Sequence, residues 1–195
     1  MIHYLTKIRA FGFIFFFFVV VNAYGQRKFV RYTVDDGLSQ SSVYSIFQDS
    51  KGFMWFGTGD GLNRFDGYSF EQHKNRAGKK AGLSNNFMTA KALEDKNGNL
   101  WFGTRSGGLN KFVYARQQFE HVPLYNSSGR NDFDCELIGF DSKGNLWFLN
   151  GSNTLGCYDE ITSKTFFIKM SEGIRYSGEG GPNRMGLLVN DTIFF

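Results

Sequence analysis

The chain has few of the residues that build metal centres and disulfide frameworks. Among 195 residues there are 2 cysteines, 2 prolines and 3 histidines, and no Cys-x-x-Cys motif occurs. This composition argues against a metal site, and we expect no cofactor. Cys135 and Cys157 could pair in an exported protein or could both be buried free thiols, and the sequence leaves both alternatives open.

Long hydrophobic runs are also scarce, since the single one lies at the N-terminus. Lys7 and Arg9 precede the apolar stretch 11–21, which is shorter than the about 20 residues that span a bilayer. The stretch 22–26 follows, with small residues at the two positions that a signal peptidase reads, an order typical of a secretory signal peptide. We predict a signal peptide over 1–25, cleaved after Gly25, and a periplasmic mature chain. An uncleaved membrane anchor is the alternative.

The mature chain carries little excess charge. Removal of Lys7 and Arg9 leaves 20 basic and 18 acidic residues, a net charge of +2. Such a balance gives no argument for a nucleic-acid partner. No second apolar run of 18 or more residues follows, so we expect no membrane contact by the mature segment.

Glycine and tryptophan reveal an internal repeat. Trp55, Trp101 and Trp147 are 46 residues apart, and aspartate and glycine positions keep the same spacing. Three residue types in one register indicate a structural repeat. The repeat positions are Asp49, Gly52, Trp55, Gly57, Asp95, Gly98, Trp101, Gly103, Asp141, Gly144 and Trp147.

Each repeat reads as four short strands. In the first unit, β-branched and aromatic runs at 43–47, 53–57, 62–65 and 68–72 are separated by turns rich in Asp and Gly. A four-stranded unit of about 40–50 residues with one tryptophan has the size of a propeller blade. We therefore predict an all-β fold, a β-propeller with a period of 46 residues.

About three and a half blades are expected, an incomplete ring. The predicted blades cover 43–73, 87–122 and 135–168, and a further blade begins at 185–195. A lead-in strand at 29–33 resembles the fourth strands at 70–73 and 119–122. These features predict a fragment whose partners are missing C-terminal blades or a self-associating copy.

The glycine-rich stretch 52–67, "GFMWFGTGDGLNRFDG", is read as hairpin turns. A phosphate-binding loop would lead into a helix, but aromatic residues without helical spacing follow Gly61. The stretch also recurs in each repeat with a variable length. This pattern predicts turns and excludes a nucleotide site.

The repeat sequence resembles a known family. "EDKNGNLWFGTRSGGLNKF" (94–112), preceded by "GLSNNFMTAKALED" (82–95), is similar to the two-component regulator propeller repeat, and 37–66 matches as well. The third copy, 138–159, has Leu149-Asn150 where the others have Gly-Thr. In particular the chain resembles the N-terminal periplasmic sensor region of Bacteroides-type hybrid two-component proteins.

The resemblance implies a sensor of oligosaccharides. In that family, periplasmic propellers precede a membrane helix, a histidine kinase, a receiver and a DNA-binding domain, none of which is recognisable in this sequence. The expected function is therefore ligand sensing, and we predict that the chain is not an enzyme. A truncated non-functional product and a secreted propeller enzyme acting on polysaccharide are the alternatives.

Candidate chemical groups are few. The tryptophans could stack on sugars, but their equivalent places in each repeat favour an inter-blade core. The segment 95–99 resembles half of a calcium loop and is better explained as a turn. His73 and His121 are predicted to be solvated edge residues and not ligands.

Two carboxylate pairs could serve a glycosidase, Asp35 with Asp36 and Asp132 with Asp134. The first lies in a turn before Gly37 and the second in a loop, which argues against catalysis. The catalytic and metal sites are thus predicted to be absent, and the sequence leaves the ligand-binding residues unknown.

Overall fold

The computed structural model describes residues 29–75, 82–122, 124, 134–150, 154–169, 187–189 and 192–194. The predicted signal peptide and Asp132 lie outside these residues. The chain divides into two compact units, Met1–Arg31 and Tyr32–Phe195. The architecture that follows belongs to the second unit.

Three four-stranded sheets and one hairpin make up the described part of this unit. The first sheet contains β1 (Val43–Gln48), β2 (Met54–Thr58), β3 (Gly61–Phe65) and β4 (Phe70–His73). The second contains β5 (Met88–Glu94), β6 (Leu100–Thr104), β7 (Gly108–Val113) and β8 (Gln118–Val122). The third contains β9 (Cys135–Phe140), β10 (Leu146–Asn150), β11 (Thr154–Asp159) and β12 (Lys164–Lys169), and the hairpin contains β13 (Leu187–Val189) and β14 (Thr192–Phe194).

Each sheet is an antiparallel meander in which the spatial order follows the sequence order. The innermost strands lie side by side, β5 next to β1 and β9 next to β5. Such stacking of four-stranded meanders is the arrangement of propeller blades. The predicted all-β propeller class is confirmed, and the three sheets are called the first, second and third blades below.

The hydrophobic core lies between the blades. One cluster joins Trp55 and Leu62 of the first blade to Phe102 and Phe112 of the second. A second cluster joins Trp101 and Leu109 of the second blade to Phe148 and Tyr158 of the third. The first and second blades therefore bury their tryptophan faces against the next blade along the chain. We call these two contacts the first joint and the second joint.

A lead-in strand was predicted at 29–33, but the structure shows no strand over these residues. A strand requires a backbone partner, and no described strand pairs with this segment. The chain instead turns into a 3-10 helix, Val34–Asp36, capped by Thr33. The Tyr32 side chain packs against Phe65 and Phe70, with ring centroids 4.9 and 5.5 Å apart.

Both cysteines are free and buried. Burial, with a smaller contribution from the Asp134 charge, raises the pKa of the Cys135 thiol well above its usual range. Burial also raises the pKa of Cys157 to about 11, helped by the charges of Asp141 and Asp159. Of the two alternatives that the sequence left open, the structure shows the free thiols.

Candidate functional site: a cleft between the first two blades

The repeated aspartate organises the turn between the first two strands of each blade. In the first blade, Asp49 Oδ1 accepts hydrogen bonds from the backbone N–H groups of Lys51 and Phe53, each at 3.0 Å. Asp49 Oδ2 accepts one from Trp55 Nε1 at 2.6 Å. Gly52 follows with φ 92°, in the left-handed region that favours glycine.

The same bonds recur in the other two blades. Asp95 accepts from Trp101 Nε1 at 3.0 Å, and Asp141 accepts from Trp147 Nε1 at 3.0 Å. Burial alone would raise the pKa of Asp95, but hydrogen bonds from Trp101 and Asn99 outweigh it and hold that pKa below its usual value. These carboxylates are therefore committed to the turn, and their oxygens are engaged with protein donors.

Gly57 and Gly103 lie where neighbouring strands approach closely. A Cβ on Gly103 would lie 1.9 Å from the carbonyl oxygen of Cys135, a backbone atom of the third blade. A Cβ on Gly57 would meet Ser45 Oγ at 2.3 Å and Met88 Cβ at 3.0 Å, which are side-chain atoms. The repeated glycine thus sets the spacing between successive blades.

A buried polar network anchors the segment that leads into each of the first two blades. Ser39 N–H donates to Asn63 Oδ1 at 2.8 Å, and Ser39 Oγ lies 2.9 Å from Thr58 Oγ1. Ser84 makes the corresponding bonds to Asn110 and Thr104, at 2.8 and 3.0 Å. The recurrent Gly-Leu-Ser could have suggested this anchor, but its asparagine and threonine partners were not recognised from the sequence.

The tryptophans have different surroundings. Trp55 and Trp101 are each 1% exposed and lie inside the two joints, so neither offers a ring face to a ligand. Trp147 is half-buried. The interpretation of the tryptophans as inter-blade core therefore describes the first two, and the third is only partly enclosed.

The prediction of a solvated histidine edge is wrong for His73. Its side chain is 16% exposed, and its ring stacks on Trp55 with centroids 5.7 Å apart. Burial lowers the pKa of His73; Glu71 acts in the opposite direction, and Arg64 adds to the lowering. His121 is exposed, as predicted, and its Nε2 lies 2.7 Å from the carbonyl oxygen of Gly82.

One carboxylate of each candidate pair, Asp36 and Asp134, accepts a hydrogen bond from a backbone N–H group. Asp36 accepts a hydrogen bond from the Thr33 N–H at 2.7 Å and closes the cap of the 3-10 helix. Asp134 accepts one from the Ser106 N–H at 2.8 Å. Within the described ranges, no group of three or more histidine, cysteine or carboxylate side chains is arranged to hold a metal ion.

A cleft of about 470 Å³ opens at the first joint. The β1–β2 turn supplies one wall, β3 contributes Arg64, and the β7–β8 turn of the second blade supplies the opposite wall. The lining residues are Lys51, Phe53, Arg64, Tyr114, Ala115 and Gln117. Aromatic rings and long polar side chains thus face one another across two blades.

Cations lie over the aromatic rings of this cleft. Lys51 Nζ is 4.6 Å from the centroid of Tyr114, and Arg64 Cζ is 4.8 Å from that of Phe53. Arg64 also donates to Gln117 Oε1 at 3.0 Å and pairs with Glu71 at 2.5 Å. The guanidinium is therefore held in place from both blades.

Tyr114 is fixed by a buried carboxylate. Its hydroxyl donates to Asp49, the same residue that binds the Trp55 indole. Burial raises the pKa of Tyr114, and the Asp49 hydrogen bond and charge raise it further, so the phenol stays protonated at neutral pH. The cleft wall is thereby coupled to the core of the first joint.

The lining of the cleft offers side chains that could contact a bound ligand. Aromatic faces beside Lys, Arg and Gln donors suit the apolar faces and hydroxyl groups of a sugar. The sequence analysis did not identify these residues, because they differ between the repeats. The positions at which the repeats differ are the signal that could have identified them.

Among the described residues, no helix has both the length and the apolar character needed to cross a bilayer.

Comparison with known proteins finds a family match for two segments of the repeats. Residues 37–60 and 82–106 match the family described as Two component regulator propeller. Histidine kinase P4 of Formosa agariphila is 40% identical over 83 residues, which are 41% of this chain and 6% of that protein. The family-matched segments, 37–60 and 82–106, belong to the two blades that carry the buried polar network of serine, threonine and asparagine.

Solved structures show the same fold. The extracellular domain of a hybrid two-component system from B. thetaiotaomicron is 27% identical with a TM-score of 0.62, over 72% of this chain and 20% of that one. A second extracellular domain from that organism is 29% identical with a TM-score of 0.52, over 62% of this chain and 17% of that one. The chain thus spans a fifth or less of these relatives.

Proposed function

We propose that this chain, which carries the two-component regulator propeller repeat, is a periplasmic ligand-sensing segment of a hybrid two-component regulator. We propose that it recognises an oligosaccharide in the cleft at the first joint and does not change it chemically. The repeat match and the two extracellular relatives support the sensor assignment. The charged, apolar and small-residue order of 1–25 supports export.

The cleft is the single observation that carries the ligand proposal. It joins two aromatic residues to Lys51, Arg64 and Gln117, so that one ligand would contact both blades. Hydrogen bonds that already hold Arg64 reduce the side-chain entropy lost on binding. A sugar could place its apolar face near the aromatic residues while its hydroxyl groups meet the donors.

A binding titration tests this proposal. Calorimetry with neutral and acidic oligosaccharides, on residues 26–195 and on the intact gene product, should find at least one ligand. Lys51→Ala should raise the Kd of that oligosaccharide about tenfold, as expected for loss of one charge-assisted contact. Lys143→Ala is the matched control, since Lys143 occupies the same turn position in the third blade and lies outside the cleft.

Two outcomes would contradict the proposal. Absence of binding by every oligosaccharide in both proteins would refute the ligand assignment, and equal losses in the two variants would refute the cleft as its site. New reducing ends after incubation with a polysaccharide would instead support the secreted-enzyme alternative. An acidic ligand that binds more weakly as salt is raised would identify the cations as its partners.

A further inference from the structure

Two residues of the cleft have counterparts at the second joint that carry a different charge. Lys51 lies 46 residues before Asn97, and Tyr114 lies 46 residues before Glu160. At the cleft a cation therefore stands where the second joint has an amide, and a neutral phenol stands where the second joint has a carboxylate. Both differences make the first joint more positive than the second.

A third residue of the cleft, Arg64, has a counterpart of the same charge but with a different partner. Arg64 and Lys111 each pair in strand register with the tryptophan of their own blade. Lys111 Nζ meets a carboxylate of the next blade, that of Glu160. The next blade instead offers Arg64 an amide oxygen, Gln117 Oε1, at 3.0 Å. An ion pair between blades thus closes the second joint, whereas the first joint presents its cations to neutral groups of the next blade.

The carboxylates near the cleft are engaged with other donors. Asp49 accepts hydrogen bonds from its own turn and from the tryptophan indole of its blade. Glu94, which reaches the same turn from the second blade, accepts one from the Ser50 N–H at 2.8 Å. Glu71 pairs with Arg64, but its side chain is 54% exposed, so water weakens this attraction. Positive charge therefore remains at the cleft for a ligand to meet.

The aromatic rings of the cleft position its cations and leave their donors available. Lys51 Nζ lies 4.6 Å from the centroid of Tyr114, and Arg64 Cζ lies 4.8 Å from that of Phe53. A ring face attracts the positive charge, but an anionic oxygen is a stronger acceptor for the N–H groups. The planar guanidinium also matches the geometry of a carboxylate or sulfate group. Both cations can therefore bind an oxyanion while they stay over the rings.

We infer that the oligosaccharide bound at the cleft is acidic. Its carboxylate or sulfate group would lie against Lys51 and Arg64 and supply the negative charge that Glu160 supplies at the second joint. This inference rests on the proposed function, since it requires the cleft to bind an oligosaccharide, and it names the class of that ligand. Carboxylate and sulfate ester share this chemistry, and separate probes distinguish them.

Paired oligosaccharides test the inference in the intact gene product. Hexuronate oligosaccharides are compared with carboxyl-reduced counterparts of the same length, and sulfated galactose oligosaccharides with desulfated counterparts. In at least one kind of pair, calorimetry should give the acidic member a Kd at least about tenfold lower, as expected for a charge-assisted contact. Raising the salt from about 0.05 to about 0.5 M should reduce this preference, because the cleft is open to solvent.

Two variants locate the preference in the cleft. Lys51→Met should remove most of it and leave binding of the neutral member in place. Gln117→Glu should do the same, because it puts a carboxylate of nearly the same shape beside Arg64. Lys143→Met and Gln118→Glu make the same changes at exposed residues outside the cleft and should leave the preference unchanged.

Three outcomes would overturn the inference. Equal affinities within every pair would overturn it and leave the proposed oligosaccharide site standing. A preference that Lys143→Met reduces as much as Lys51→Met would also overturn it, because the preference would then come from the overall charge of the protein. Absence of binding by every acidic and neutral oligosaccharide would overturn the inference together with the proposed ligand, a result distinct from equal binding.

Discussion

The two joints share the same core contacts and differ in the side chains at their outer edge. Both place a tryptophan bonded to an aspartate against a ring of the next blade, Trp55 on Phe112 at 5.2 Å and Trp101 on Tyr158 at 5.9 Å. At the first joint, Tyr114 binds Asp49 and leaves the cleft open beside it. At the second, Lys111 bridges Asp95 and Glu160.

This difference distinguishes the residues that both joints share from the residues that line the cleft. Tyr114 and Glu160 hold the same repeat position, 46 residues apart, as do Lys51 and Asn97. The aromatic and cationic set is therefore particular to the first joint, while the aspartate, tryptophan and glycine positions are shared. Residues that differ between the repeats can form a ligand site without altering the contacts that all blades share.

Loss of a joint tryptophan should have the largest effect. Trp101→Ala removes a side chain that is 1% exposed and is expected to lower the free energy of unfolding by about 3–5 kcal/mol. Trp147→Ala, at a half-buried residue, should cost clearly less. Urea unfolding measures both, and Trp101→Phe provides a milder variant if the alanine variant does not fold.

The glycine positions should show which joint tolerates less change. Gly103→Ala pushes a methyl group into the Cys135 carbonyl of the third blade and should destabilise by about 1–3 kcal/mol. Gly57→Ala should cost less, because Ser45 Oγ can rotate away. A larger loss in Gly57→Ala, in the same urea experiment, would contradict this ranking.

The ion pair of the second joint should matter more than the Arg64–Glu71 pair within the first blade. Lys111 is 9% exposed and lies 3.6 Å from Asp95, so Lys111→Met should cost about 1–3 kcal/mol by leaving that carboxylate without its cation. Arg64→Met should cost at most about 1 kcal/mol, since its partner Glu71 is 54% exposed. Thermal unfolding at low and high salt measures both, and the reverse order would refute this reading.

The smallest expected effect is a pH dependence specific to the first joint. Burial lowers the pKa of His73, so the unfolded chain binds a proton more readily than the folded chain. The contribution of neutral His73 to the free energy of unfolding is therefore complete above about pH 6.5 and declines as pH falls below it. His73→Phe should reduce the loss of stability between about pH 7 and 5. His121→Gln, at an exposed residue, is the control and should follow the wild-type curve.

Local chemistry explains how much of the fold was predictable. The Asp-x-x-Gly turns and the tryptophan spacing indicated four-stranded blades, because turn geometry and strand alternation act over a few residues. The cleft was not predictable, because Lys51 and Tyr114 meet only when two blades stack. The burial of His73 was missed for the same reason, since Phe112 and Phe119, which enclose it, belong to the next blade.

The sequence by itself determined the repeat, the blade and the role of aspartate and glycine in each turn, since these depend on contacts within one unit. Only the tertiary structure decided that Tyr32 packs on Phe65 and Phe70 while 29–33 forms no strand. It also decided that the first joint opens into a cleft while an ion pair crosses the second. The physical reason is that packing between blades joins residues about 40–50 positions apart, a distance over which sequence pattern fixes the register but not the partners.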